Sequence, residues 1–128
     1  MTATKVEAGT APKHFAYYPG NYRWSAEMLV ILSTGPYGGP DICEVDRTVR
    51  ELRDCVGDDE AWFRAWCKGG DALRERALAA ESAGHALTAA SNFLRASFAH
   101  QSADHFRQPK DADALATYRV SLECFRKC

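Results

Sequence analysis

The sequence predicts an all-α fold: about five helices packed around one central apolar helix, with no sheet. Apolar residues recur at three- and four-residue steps through most of the chain, and no segment shows the two-residue alternation of a strand. The stretch from Ala86 to Phe106 supplies the central element. Leu87, Ala90, Leu94 and Phe98 fall on one helix face, while Ala86, Ala89, Phe93 and Ala96 make the neighbouring face apolar too. Between Ala83 and Ala103 the single formal charge is Arg95. A helix apolar on nearly all sides has to be covered on several of them. Asn92, Arg95, His100 and Gln101 interrupt it, so it does not read as a membrane span, which needs about 20 apolar residues in a row.

The elements follow in order. Residues 1–21 read as a mobile N-terminal arm carrying an aromatic segment, His-Phe-Ala-Tyr-Tyr, closed by the Pro19-Gly20 turn signal. Residues 22–128 read as the helical module. Tyr22 to Ser33, with Trp24, Met28, Leu29, Ile31 and Leu32, forms a first helix that stops at Gly35-Pro36. Three nearby glycines lack the Lys-Ser/Thr of a phosphate loop, so this stretch reads as a connection. A second helix starts near Asp41–Glu44 and runs through Val45, Val49, Leu52 and Cys55 until Gly57. Asp58 or Asp59 then caps a third helix with Trp62, Phe63 and Trp66 inward. Gly69-Gly70 in its middle costs about 2 kcal/mol against two alanines, which predicts a kink or break there. Gly84 separates it from the central helix. A last helix, capped by Asp111 or Asp113, carries Leu115, Tyr118, Leu122 and Phe125 at helical spacing. Its pattern is still in phase at Cys128, so the chain is expected to be truncated at its C-terminus.

At 128 residues and a net charge of −1, the chain can build one core and lacks the basic stripe of a nucleic-acid binder. Met1–Lys13 has no apolar core, so no secretory leader is expected. A cytoplasmic location with free thiols at Cys43, Cys55, Cys67, Cys124 and Cys128 follows from that expectation. No Cys-x-x-Cys, His-Glu-x-x-His, Gly-x-Gly-x-x-Gly or Gly-x-Ser-x-Gly occurs, so neither a metal, nor a cofactor, nor a catalytic serine is expected. His100 and Asp104 share a helix face, but two ligands are too few for a metal. Arg95, inside the apolar helix, must be paired, with Glu81, Asp104 or Glu123 as candidates, or must face a ligand carboxylate.

Three stretches carry a resemblance. They are Gly57-Asp58-Asp59-Glu60-Ala61-Trp62 with Trp66, then Gly84-His85…Thr88-Ala89…Asn92-Phe93-Leu94-Arg95-Ala96-Ser97, and Tyr118…Ser121…Cys124-Phe125. Together they resemble the helical N-terminal, cap-like region of a group of α/β-hydrolases: the dihydropseudooxynicotine hydrolases, the FrsA-type esterases and the fungal pigment and polyketide hydrolases. The likeness runs from about Tyr22 to the end. Phe98-Ala99-His100 departs from the paired tyrosines that the family often carries.

The resemblance implies a module that is not catalytic alone and that caps a hydrolase core cleaving ester or C–C bonds in secondary metabolism. The Ser-Asp-His machinery would belong to that core, which is missing from this chain. Trp24, Trp62, Trp66, Phe93 and Phe98 are the candidates for a substrate-pocket wall or the interface with the core. His85 and Arg95 are assigned to structural hydrogen bonding. The expected partner is the missing core or a second subunit, with self-association if the covering surface is absent. The alternative is a self-standing helical module that binds a partner or a small molecule.

Overall fold

A computed structural model describes residues 16–128. The expected arm therefore lies mostly outside the described residues. Five α-helices follow one another: α1 (Tyr22–Ser33), α2 (Ile42–Arg50), α3 (Asp59–Ser82), α4 (Ala86–Asp104) and α5 (Ala112–Arg126). Single 3₁₀ turns lie at Gly35–Tyr37 and Arg53–Cys55, and the described residues contain no strand. The helix starts are chemically specified. Asn21 accepts from the Trp24 N–H, Asp58 from Glu60 and Ala61, and Asp111 from Ala114. At α2 the Asp41 carboxylate takes the Cys43 and Glu44 N–H groups while Glu44 reaches back to the Asp41 N–H, a reciprocal cap. Each such cap is worth about 1 kcal/mol.

The second helix is shorter than expected. It ends at Arg50, and Leu52 reaches the core from the turn that follows. The third is longer. α3 runs unbroken through Gly69-Gly70, so the expected kink does not form. Close approach explains the glycines: a Cβ on Gly69 would lie 3.0 Å from Thr48 Oγ1, and one on Gly70 only 2.7 Å from His100 Nε2. Two neighbouring helices press on α3 where it has no side chains. α3 ends in a Schellman motif, with Gly84 at φ +77° and the His85 N–H bonded to the Ala80 carbonyl.

α4 is flanked by α3 and α5, packing most extensively on α3. Its buried stripe is Ala89, Phe93, Ala96, Ala99, His100 and Ala103, whereas Leu87, first in the expected face, is 89% exposed. Alanines let the helix axes approach closely, and that proximity, rather than side-chain size, selects the buried face. On α5 the same reversal occurs. Ala114, Thr117, Ser121 and Cys124 face inward, while Leu115, Tyr118 and Phe125 are exposed. Between α1, α3 and the end of α4 lies an aromatic core. Ring centroids are 4.9 Å apart for Trp24–Trp62, 5.7 Å for Trp62–Trp66 and 5.0 Å for Trp62–Phe106. Tyr18, from the expected arm, packs edge-on against Trp24.

Candidate functional site: the Glu27–His105 cleft

The α1 stripe Trp24, Met28 and Ile31 is buried at three- and four-residue steps, and Glu27 sits within it. Helical periodicity thus carries a carboxylate inward, where it is 8% exposed. It opens onto a cleft of about 300 Å3, walled by Val30 and Ile31 from α1 and by Phe98, Ser102 and His105 from the end of α4. His105 Nε2 lies 3.2 Å from Glu27 Oε2. Burial pushes the Glu27 carboxyl up from an ordinary 4.5 to about 7. Partial burial, with the cations of Lys110 and Arg23 nearby, pulls His105 below its usual value. Near neutral pH the pair therefore holds a carboxyl that is partly protonated beside a neutral imidazole, which can give or accept a proton. The Ser102 hydroxyl is not free for chemistry, because it donates to the Phe98 carbonyl at 2.9 Å.

Of the residues singled out from sequence, Phe98 alone lines this cleft. Trp24, Trp62 and Phe93 are fully buried: the Trp24 indole donates to Asp59 Oδ1 at 3.0 Å, the Trp62 indole to the Ser102 carbonyl at 2.9 Å. Phe93 lies under the Lys127 ammonium, 4.9 Å from the ring centre. Trp66 is buried too, and lines a separate cavity between α2 and α3.

Arg95 crosses to the start of α2, where its Nη1 stands 3.2 Å from Glu44 and 3.6 Å from Asp41. The three expected acids are not its partners: Glu81 holds Lys127, Asp104 holds Lys110 and Glu123 stands 4.0 Å from Arg74. His85 occupies the N-cap position of α4 without a side-chain capping bond, and its contribution runs through its main chain. His100 and Asp104 turn to different neighbours. His100 Nε2 is 3.4 Å from Asp71, too poorly aligned for a hydrogen bond, and burial lowers the ring's pKa. No group of three or more His, Cys, Asp or Glu among the described residues is placed to hold a metal.

Glu27 and His105 are the residues that sequence reasoning missed as a site. One signal was available: Glu27 occupies an inward position of the first helix, where a carboxylate is out of register with the solvated face.

The chain is similar to fungal proteins named hydrolases. It is 30% identical to hydrolase acrC of Aspergillus aculeatus over 115 residues, which is 88% of this chain and 26% of that protein. Over 112 residues it is 28% identical to hydrolase LUC6 of a Fusarium species, covering 86% of this chain and 26% of the relative. Hydrolase phmG of Phaeosphaeria nodorum is 35% identical over 81 residues, 63% of this chain and 18% of its own length. No family model matches, and neither does a solved structure. The chain thus spans about a quarter of the length of the first of these relatives.

Proposed function

We propose that this chain is the N-terminal, cap-like helical module of an α/β-hydrolase, not catalytic alone. Its role is to wall the substrate pocket of a hydrolase core and to exclude water from it. The observation that carries this reading is the match over 88% of the chain to a hydrolase of which it covers only 26%. The exposed stripe Leu115, Tyr118 and Phe125 on α5 supports it, since that face asks for apolar cover. Phe98 and the Glu27–His105 cleft are the parts of the module that face substrate in this reading. The core would be encoded further along the same frame or as a second subunit. The reaction is hydrolysis of an ester or C–C bond in secondary metabolism, in the cytoplasm.

The test begins with the gene downstream of the Cys128 codon. A continuing frame with Gly-x-Ser-x-Gly followed by Asp and His, and esterase activity of the longer product that this chain lacks, supports the proposal. A stop codon with no core encoded nearby overturns it. A self-standing small-molecule-binding bundle is the second reading, favoured by the complete aromatic core and the two lined cavities. It predicts a stable monomer that binds ligand without any partner.

A further inference from the structure

Packing covers five acidic side chains among the described residues wholly or in part: Glu27, Glu44, Asp46, Asp59 and Asp104. Four of them have a fixed cation. Glu44 stands 3.2 Å from Arg95, Asp46 2.7 Å from Arg50, Asp59 2.6 Å from Arg23 and Asp104 2.9 Å from Lys110. Glu27 is the most buried of the five, and its ionic neighbour is the His105 imidazole, 3.2 Å away and mostly neutral at pH 7. The charges around this pair do not make up the difference. Arg23 on α1 and Lys110, before α5, hold Asp59 and Asp104, and among the described residues no Lys or Arg lines the cleft. A buried carboxylate without a countercharge is costly, and a proton takes the place that a cation would fill.

The geometry leaves room for that cation. His105 is about half exposed and lines the same cleft as Glu27, so the carboxyl oxygen that meets its ring faces the cleft and not the core. The cleft measures about 300 Å3, at the low end of the ~300–1,000 Å3 of small-molecule sites. Val30, Ile31 and Phe98 give it an apolar wall beside the carboxyl group.

We propose that the Glu27–His105 cleft binds a small primary amine, its ammonium paired with the Glu27 carboxylate and its short alkyl tail lying against Val30, Ile31 and Phe98. The inference rests on the reading of this cleft as a part of the module that faces substrate, and adds the chemistry of what enters it. An anionic ligand would meet like charge, and a neutral one leaves the carboxyl without its cation. Charge-assisted hydrogen bonds from an ammonium to a carboxylate are the strong ones, and Gln101 lines the cleft with a further acceptor oxygen. The amine enters as the ammonium, and Glu27 releases its proton to solvent. Burial pushes the Glu27 carboxyl up to about 7, so affinity falls about tenfold per pH unit below that value.

The test is titration of the 128-residue chain with isopentylamine hydrochloride at pH 8 and pH 5, at matched ionic strength, followed by ¹⁵N–¹H correlation spectra. The amine stays protonated at both values, as lysine does. The expected result is a saturable shift of the Val30 and Ser102 amide signals, with affinity about a hundredfold higher at pH 8 than at pH 5. Isopentyl alcohol, with the same tail and no charge, should bind about tenfold more weakly at pH 8 or not at all. Glu27→Gln should remove both the preference for the amine and its pH dependence. No saturable shift at pH 8, equal binding of the alcohol, a pH-independent affinity, or unchanged affinity in Glu27→Gln would each overturn the proposal. If Glu27→Gln does not fold, the alcohol and the pH profile decide alone. A blank titration beside a downstream frame that encodes the hydrolase core sinks this inference and leaves the cap reading standing. Amine binding beside a stop codon does the reverse.

Discussion

The His100 imidazole occupies the space that a side chain at Gly70 would need, with Nε2 only 2.7 Å from where a Cβ would be placed. α3 and α4 meet ring-on-backbone at this point, in the middle of the most extensive helix contact of the fold. Gly70→Ala is therefore expected to destabilise the chain by about 1–3 kcal/mol, because overpacking outweighs the ~1 kcal/mol gained in helix propensity. Urea unfolding monitored by circular dichroism measures the difference. A stabilised variant would mean that the ring gives way freely.

Glu27 provides a pH test. Its carboxyl in the folded chain titrates at about 7 against 4.5 ordinarily, so between those values the folded state holds more proton than the unfolded one. Stability contributed by this group is then present below pH 4.5 and is lost as pH rises to about 7. Glu27→Gln should remove that loss, raising stability by about 3 kcal/mol at pH 8 and far less at pH 5. Thermal unfolding of both proteins at the two pH values checks the sign. A gain that does not depend on pH would show that the carboxyl is not held neutral by burial.

Arg95 ties the central helix to the start of α2 through Glu44, a carboxylate that is itself only 12% exposed. Arg95→Met should cost about 1–2 kcal/mol, more than a surface pair, because it leaves Glu44 with one distant arginine. The matching double variant with Glu44→Gln should recover part of the loss. Additivity in that cycle, measured by chemical unfolding, would remove any coupling between the two.

The exposed α5 stripe predicts self-association of the chain on its own. Sedimentation at rising concentration should show oligomers, and Leu115→Gln with Phe125→Gln should shift the population towards monomer at little cost in stability. Both positions lie away from the buried face of α5. A wild-type monomer at high concentration would leave the stripe without a self-partner.

Much of the architecture was legible in local chemistry. Tyr22–Ser33 forms the expected first helix, α2 starts within the expected Asp41–Glu44 stretch, and of the paired cap candidates Asp58 and Asp111 are the ones that cap. Gly84 ends α3 because the turn needs a positive φ that a glycine adopts without strain. The site was less legible. The aromatic candidates were recognisable as large and apolar, which is why most of them are core, while the cleft depends on Glu27 and His105, separated in sequence and joined by packing.

By itself the sequence determined the helical class, the number of helices and roughly where they start, because these depend on neighbours within a turn or two. The tertiary structure decided which face of α4 and α5 is buried, why α3 passes straight through Gly69-Gly70, and which acids hold Arg95. Those choices rest on how closely two helices can approach. Alanine, serine and glycine permit that approach where leucine and phenylalanine do not, and the chain order of residues does not reveal it.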